Sequence, residues 1–354
     1  MICGEYMPQV RQNISSSPVQ RPLFVGIDIG ATNTKIGLVD DLGRTVGVRS
    51  FATGASAGPE AAAQQIGREV EMLRKDAGAK AGDVVAAGVG APGPLDIPTG
   101  KLLNPPNLPG WHDFPLRDRV SHFCGLPVRF TGDACAAAYG EYCLGSHKKI
   151  RSLVLFTLGT GLGCGIVVDG RLIEGSHSHG AMSGHITIDV RDDARICPCG
   201  QPGHLEAYVS GVALVKRAVE FMEDGRKTSL NSRIESGAML TPLVIAEEAA
   251  AGDALSLELV LDTARYLAVG IVSMMHTIDP DAVLLGGGIN FGGPDSPLGR
   301  RYLDAIREEV SRRAFPIPAQ QTTIDYATLG SDAGYLGAAS VARADYHCGT
   351  EASR

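Results

Sequence analysis

Apolar residues recur along this chain with two different periods. Leu23 to Gly30 is a β-rich apolar run that ends in Asp28-Ile29-Gly30-Ala31-Thr32-Asn33-Thr34-Lys35, and Ile36 to Asp40 and Thr45 to Thr53 follow as further extended stretches. Runs of this kind bounded by small-residue turns predict strands. Between Glu60 and Asp76, Ile66, Val70 and Leu73 fall at helical spacing, and Asp83 to Gly90 returns to strand. The first unit therefore reads as βββαβ.

A second copy of the pattern begins at Ser152. An apolar strand there reaches Gly159-Thr160-Gly161-Leu162-Gly163, then Cys164 to Asp169, then Gly170-Arg171-Leu172-Ile173. In both copies a small-residue turn leads to glycine and aliphatic residues ending at Asp: Gly37-Leu38-Val39-Asp40 and Gly165-Ile166-Val167-Val168-Asp169. This predicts a duplicated fold whose two halves aim two phosphate-cradling turns at one cleft. Ala282 to Leu285 runs into Gly286-Gly287-Gly288, a third glycine turn. Ser210 to Asp279 reads as mainly helical, with Leu261, Ala264, Leu267, Ala268 and Ile271 on one core-facing side. A helix starting near Asp332 is expected to cross back to the first unit. The predicted layout is a tail over residues 1–21, a smaller α/β domain over 22–132 joined by a C-terminal helix over 332–345, and a larger α/β domain over 133–331.

Composition sharpens this picture. A chain of 354 residues is long enough for two domains, each with its own core. Hydrophobic residues at 44% and charged residues at 20% fit a globular α/β enzyme, and 45 glycines fit many tight turns. The formal charge of -7, without any Lys/Arg-rich run, argues against nucleic acid or an anionic membrane as partner. The first 21 residues lack the apolar stretch of a secretory signal, and no segment nears the roughly 18–20 apolar residues of a membrane span. A cytoplasmic protein is expected. The cysteines outside one close pair show no disulfide-framework spacing, which fits a reducing compartment.

The candidate chemistry sits in turns, one strand-to-helix junction and one knuckle. In the turn from Asp28 to Lys35, backbone amides and hydroxyls of Gly30, Thr32, Asn33, Thr34 and Lys35 could face a polyphosphate, and Asp28 could hold Mg²⁺ mainly through waters. A plain hairpin with satisfied turn residues is the competing reading; the turns at Gly159, Thr160, Gly161 and at Gly287, Gly288 favour nucleotide. None of these turns continues into a Walker loop or a dinucleotide Gly-x-Gly-x-x-Gly, so a clamp of two turns is expected. Asp133, where an extended segment gives way to an alanine-rich helix, is either an N-cap or a carboxylate able to accept a hydroxyl proton.

The proline-stiffened loop Asn104-Pro105-Pro106-Asn107-Leu108-Pro109-Gly110-Trp111 offers amides suited to sugar hydroxyls, and Gly93 in Gly90-Ala91-Pro92-Gly93-Pro94 lets a ligand approach the backbone. Gly184-His185 followed by Cys197-Pro198-Cys199-Gly200-Gln201-Pro202-Gly203-His204-Leu205-Glu206 supplies two imidazoles and two thiols, a donor set that tetrahedral Zn²⁺ prefers. That knuckle, over 185–206, begins at a histidine and ends at a glutamate, both able to hydrogen-bond a polyol.

Taken in order, Asp28-x-Gly-x-Thr, Gly159-Thr160-Gly161, Gly184-His185, the Cys-x-Cys-Gly-x-x-Gly-x-x-Glu knuckle and Gly286-Gly287-Gly288 resemble the ROK family of sugar kinases and repressors, over roughly residues 22 to 342. The resemblance implies a duplicated actin-like, ribonuclease H-like ATPase fold of two domains closing on a hexose and Mg-ATP, and a homodimer or homotetramer. It implies Asp133 as general base, Asn107, His185 and Glu206 as sugar contacts, and a structural zinc on His185, Cys197, Cys199 and His204. With only about 21 residues before the first strand, a kinase is expected ahead of a repressor, which carries an N-terminal helix-turn-helix. Three departures from the family pattern stand out. Gly132 replaces an asparagine before the catalytic aspartate, Met182 replaces the glutamate of Glu-x-Gly-His, and His204 replaces a zinc cysteine. The first two remove polar partners where substrate is read, which points to a substituted hexose, a ketose or a cyclitol. A regulator that binds sugar or nucleotide without catalysis is the alternative from another class.

Overall fold

A computed structural model of the chain describes residues 18–147 and 150–351. Residues 1–17, most of the expected tail, lie outside the described residues. Gln20 donates its amide to Asp40 and Arg21 pairs with Asp83, so the chain just ahead of the first strand is held against the body.

The first half contains β1 (Leu23–Ile29), β2 (Asn33–Asp40), β3 (Thr45–Ala52), α1 (Pro59–Asp76), β4 (Val84–Ala91), a short hairpin of β5 (Leu95–Asp96) and β6 (Lys101–Leu102), α2 (Leu116–Cys124) and β7 (Val128–Gly132). Helix α3 (Asp133–Leu144) follows directly. The second half contains β8 (Ser152–Leu158), β9 (Leu162–Val168), β10 (Arg171–Leu172), α4 (Glu206–Val209), α5 (Gly211–Glu223), α6 (Leu230–Glu235), α7 (Pro242–Ala251), α8 (Ala254–Ile278), β11 (Ala282–Gly286), α9 (Pro297–Arg313), α10 (Pro316–Gln321) and β12 (Thr323–Tyr326). Helix α11 (Ala333–Glu351) closes the chain.

The strand orders β3-β2-β1-β4-β7 and β10-β9-β8-β11-β12 show the duplication directly. In each sheet three consecutive strands run antiparallel and the remaining two join parallel: β1 to β4 and β4 to β7, then β8 to β11 and β11 to β12. This is the duplicated actin-like arrangement expected from the sequence.

Local rules account for the elements. Ile66, Val70 and Leu73 of α1 are buried against the first sheet, each side chain worth about 1.5–3 kcal/mol on burial. Helix α8 starts where Asp253 accepts the Ser256 amide at 2.8 Å, and it ends at Asp279 in the left-handed conformation. Its buried face is Leu259, Val260, Ala264, Leu267, Ala268 and Ile271, whereas Leu261, expected on that face, is only partly covered. The apolar stripe is broader than a single row because the helix packs between α9 and α7.

Between the two sheets, α3 and α11 pack with backbones nearly touching. A Cβ added at Gly337 would stand 1.6 Å from the Ala136 carbonyl oxygen, and one at Gly140 would stand 2.8 Å from that of Ala333. Helix α11 also lies directly on β1, where a Cβ at Gly26 would meet the Tyr335 oxygen at 1.8 Å. Small residues at these crossings let both helices reach the carboxyl ends of the parallel strands, where open α/β sheets bind ligands. Among the described residues no helix is long and apolar enough to cross a membrane.

Candidate active site and metal centre

Asp28 lies near the end of β1, in register with Gly90 on β4 and Lys35 on β2. A Cβ on Gly90 would sit 3.5 Å from the Asp133 Cα and 3.1 Å from the Ala136 Cβ, so the bare backbone at Gly90 is what admits the start of α3. The two carboxylates thus flank one strand end. Burial, then the charge of Asp133, push the Asp28 carboxyl up to about 6, while Lys35 pulls the other way. Asp133 is also raised by desolvation, against the pull of the Ala134 amide 2.7 Å from its Oδ1. Its side chain keeps access to solvent at the start of α3. Its competing reading as an N-cap fails here. Gly132 occupies the cap position without a side-chain bond, and Asp133 is the first helical residue.

The β1–β2 turn is braced from within. Gly30 N donates to Asn33 O at 3.0 Å, Thr53 Oγ1 to Gly30 O at 2.7 Å, and Thr53 N to Thr32 O at 2.9 Å. Thr34, expected beside a nucleotide, points inward, with its hydroxyl buried 3.0 Å from that of Thr53. Lys35 reaches the start of α11, with Nζ 2.5 Å from Asp332 Oδ1 and 3.0 Å from Ser331 O. Thr32 and Asn33 stay exposed. The Asp28 carboxylate abuts the first turn of α11, where a Cβ on Gly334 would collide with it.

Contacts run without a break from these carboxylates to the second sheet. A Cβ on Gly163 would meet that of Ala134 at 3.0 Å. The turn before Gly163 is closed by Gly159 N donating to Gly161 O at 3.0 Å and leaves Thr160 exposed. Glu206 Oε2 accepts the Leu162 amide at 2.8 Å and presses on Gly161. The glycine triplet closes over the same turn: Gly287, at φ 91°, lies against Leu158 O, Ile289 N donates to Leu158 O at 3.0 Å, and Gly288 faces open space. Gly211 N donates to Gly159 O at 2.9 Å at the head of α5, beside Ile289 and Pro242. That apolar wall of Ile289 and Pro242 carries no motif, so sequence reasoning missed it; only the Ser-Gly helix start at Ser210 hinted at it.

The knuckle assembles. One ligating atom each from His185, Cys197, Cys199 and His204 lies within 4.8 Å of all the others. Cys197 Sγ is 3.7 Å from His185 Nδ1, and Cys199 Sγ is 3.2 Å from His204 Nδ1. Tetrahedral zinc with typical bond lengths places sulfur and nitrogen about 3.6 Å apart, so the donor set fits the ion. Burial pushes the Cys197 thiol up to about 12, and burial with the nearby His185 lowers His204. Gly203, at φ 75°, passes so close to Asp189 O that no Cβ would fit. Tyr208 of α4 props the loop, donating to Asp189 at 2.6 Å and accepting from Arg195 N at 3.1 Å. Cys197 Sγ also lies 3.6 Å from Glu206 Oε1, so one glutamate links the metal loop to the glycine turn.

His185 sits at the end of a single helical turn, Ser183–His185, whose Gly184 rests on Leu162. Met182, exposed, reaches across to Gly93, with its Cε 3.7 Å from where a Cβ would stand. Asn107 is exposed on a loop pinned by buried Leu108 and Trp111, and the Trp111 Nε1 donates to Ala55 O at 3.2 Å.

Residues 24–345 match the ROK family. The chain belongs to that family. Among curated relatives, the glucokinase of Halalkalibacterium halodurans is 30% identical over 314 residues, covering 89% of this chain and 93% of that protein. A putative xylose repressor from Caldicellulosiruptor sp. is 28% identical over 323 residues, 91% of this chain and 78% of its own length. Among solved structures, the ROK hexokinase from Thermus thermophilus superposes with a TM-score of 0.78 at 31% identity, over 92% of this chain and 99% of that one. The ROK glucokinase from Streptomyces griseus, in complex with glucose and AMPPNP, gives 0.73 at 33%, over 91% and 99%. The ROK family thus spans kinases and repressors, and this chain's site has to indicate which it is.

Proposed function

We propose that this ROK chain is an ATP-dependent kinase that phosphorylates a hydroxyl of a hexose or hexose-like polyol. The observation that carries the reading is the pair Asp28 and Asp133 at one strand end, contiguous with three glycine turns. The charge of Asp133 disfavours ionisation of Asp28, and a cation-bearing polyphosphate substrate relieves that repulsion. A protein that only sensed sugar would have no evident use for the arrangement.

In this reading Asp133 Oδ accepts the proton of the attacking hydroxyl as it adds to the γ-phosphorus of ATP, and its raised pKa brings it nearer the working pH of a general base. Asp28 is the residue that would hold Mg²⁺, mainly through waters, and the ion when bound neutralises charge on the phosphates. The Gly159–Gly161 and Gly287–Gly288 turns seat the phosphates, with Thr32 and Asn33 opposite. Ile289 and Pro242 supply an apolar wall beside the Gly159 turn. His185 and Glu206 hold the sugar, joined by Asn107 and Gly93. His185 Nδ1 faces Cys197 Sγ and would be the nitrogen to hold zinc, which would leave Nε2 for a sugar hydroxyl. Transfer rests on positioning and charge neutralisation in a cleft between the segment up to Gly132 and the segment from Asp133 to 331.

ADP release, followed with aldoses, ketoses, aminosugars and cyclitols, tests the reading. Sugar-dependent turnover supports it. Thermal shifts with sugar or nucleotide but no ADP release with any acceptor would favour the regulator.

A further inference from the structure

Beyond β10 the chain forms a pinched loop. Its neck is closed by Gly180 N donating to Glu174 O at 2.8 Å, with Gly175 and Gly180 in close backbone approach. Although rooted in the second sheet, this loop is fastened to the first half at two points. At the neck, Glu174 Oε2 accepts from Arg129 Nη2 at 2.6 Å, and Glu174 Oε1 accepts from Thr131 Oγ1 at 2.7 Å. At the tip, Ser178 Oγ, buried, accepts the Ile97 amide at 2.9 Å, just beyond the Gly93-Pro94 turn. Arg129 is drawn in further by Asp345 of α11, whose Oδ2 lies 3.2 Å from its Nε without the angle of a hydrogen bond.

The placement of these bonds gives them a consequence. Thr131, fully buried, is two residues before Asp133 on the strand that delivers it. Downstream of the same loop come Met182 and the turn that carries His185. One carboxylate therefore spans from the strand presenting the base to the segment presenting the sugar-facing imidazole. Its side chain is only 16% exposed, so its bonds are little diluted by water.

We infer that Glu174 is a positioning residue that sets the register between Asp133 and His185 by tying β7 to the 174–180 loop. The inference rests on the kinase reading for its kinetic consequence and on the hydrogen bonds alone for its mechanical one. Catalysis is steep in alignment: a misplacement of about 1 Å can cost about 10²-fold. Loss of this tie should therefore lower kcat and weaken the sugar while leaving the nucleotide, seated on other turns, unaffected.

The test compares Glu174→Ala and Glu174→Gln with Thr131→Val, which removes one of the same bonds from the other side should Glu174→Ala not fold. Steady-state kinetics are measured separately for sugar and ATP, and hydrogen exchange is followed over residues 93–97 and 128–132. Glu174→Ala is expected to lower kcat about 10–100-fold, to raise the sugar KM several-fold and to leave the ATP KM within about twofold. Glu174→Gln, which keeps an acceptor for Thr131, should fall between it and wild type. Faster exchange at the Ile97 amide and through 128–132 should accompany the loss. A folded Glu174→Ala protein with kcat and sugar KM within about twofold of wild type would overturn the inference, as would equal rises in both KM values. Wild type without turnover on any sugar sinks the kinase reading instead, and unchanged exchange in Glu174→Ala then overturns the tie on its own.

Discussion

Replacing Asp28 by asparagine should make the protein more stable and less active, and the structure says by how much. The carboxyl titrates at about 6 in the fold against an ordinary 3.8, so its ionisation opposes folding by a ceiling of about 3 kcal/mol above pH 6. Asp28 is only half-buried, so solvent screens part of this, leaving about 1–3 kcal/mol to be recovered by an amide of the same size. The sign follows from linkage. The folded state binds the proton more tightly than the unfolded state, so this group's contribution is most favourable below pH 3.8 and is lost as pH rises through 6. Urea unfolding of wild type and Asp28→Asn, without magnesium or nucleotide, should show the variant ahead at pH 7.5 and the two converging near pH 4. Adding Mg-ATP should stabilise wild type and shrink the gap. Equal stability at pH 7.5, or a gain of the same size at both pH values, would show that burial and, after it, charge repulsion with Asp133 do not set the penalty.

Other consequences are as specific. Gly337→Ala places a methyl 1.6 Å from the Ala136 oxygen where α3 and α11 cross, and should cost at least about 3 kcal/mol or prevent folding, read by thermal melting. Removing zinc with a chelator, or changing Cys199 to serine, should lower the melting temperature and raise the sugar KM, because Glu206 and His185 lose their brace; elemental analysis giving less than about half an equivalent, with unchanged melting in chelator, would count against the metal. Metal rebinding should release protons and weaken as pH falls, since burial holds Cys197 protonated near neutrality. The pair Gly132→Asn and Met182→Glu should shift preference toward glucose by at least about tenfold in kcat/KM. The site has room for it: a Cβ on Gly132 meets nothing nearer than 3.8 Å, and Met182 is exposed.

What the sequence made legible follows from which interactions are local. Most strands of both sheets were readable as apolar runs closed by small-residue turns, and the matched endings at Asp40 and Asp169 betrayed the duplication that the strand orders display; β12, Thr-Ile-Asp-Tyr, alternates polar and apolar residues and was not read. The knuckle was readable because its donors cluster within about twenty residues, and the fold gathers all four. What escaped was decided by residues distant in sequence. Thr34 turns inward because Thr53, just past the end of β3, takes its hydroxyl as a partner. Lys35 is drawn to Asp332, nearly the whole chain away. Glu174 reads as an ordinary polar loop residue until β7 is placed beside it. Gly211, Pro242 and Ile289 meet only when α5, α7 and the glycine triplet converge on Gly159. Spacing rules see one element at a time, whereas these contacts are made between elements.

The claim at the centre of this account is that Asp133 takes the proton of a sugar hydroxyl during transfer from ATP. Its most direct test is ADP release by wild type and Asp133→Asn at saturating Mg-ATP across hexoses, aminosugars and cyclitols, with nucleotide affinity measured in parallel. Wild type should show sugar-dependent turnover, and the variant should lose about 10²–10⁴-fold while keeping nucleotide affinity within about threefold. Full activity in Asp133→Asn, or no turnover by wild type with any of these acceptors, would contradict it.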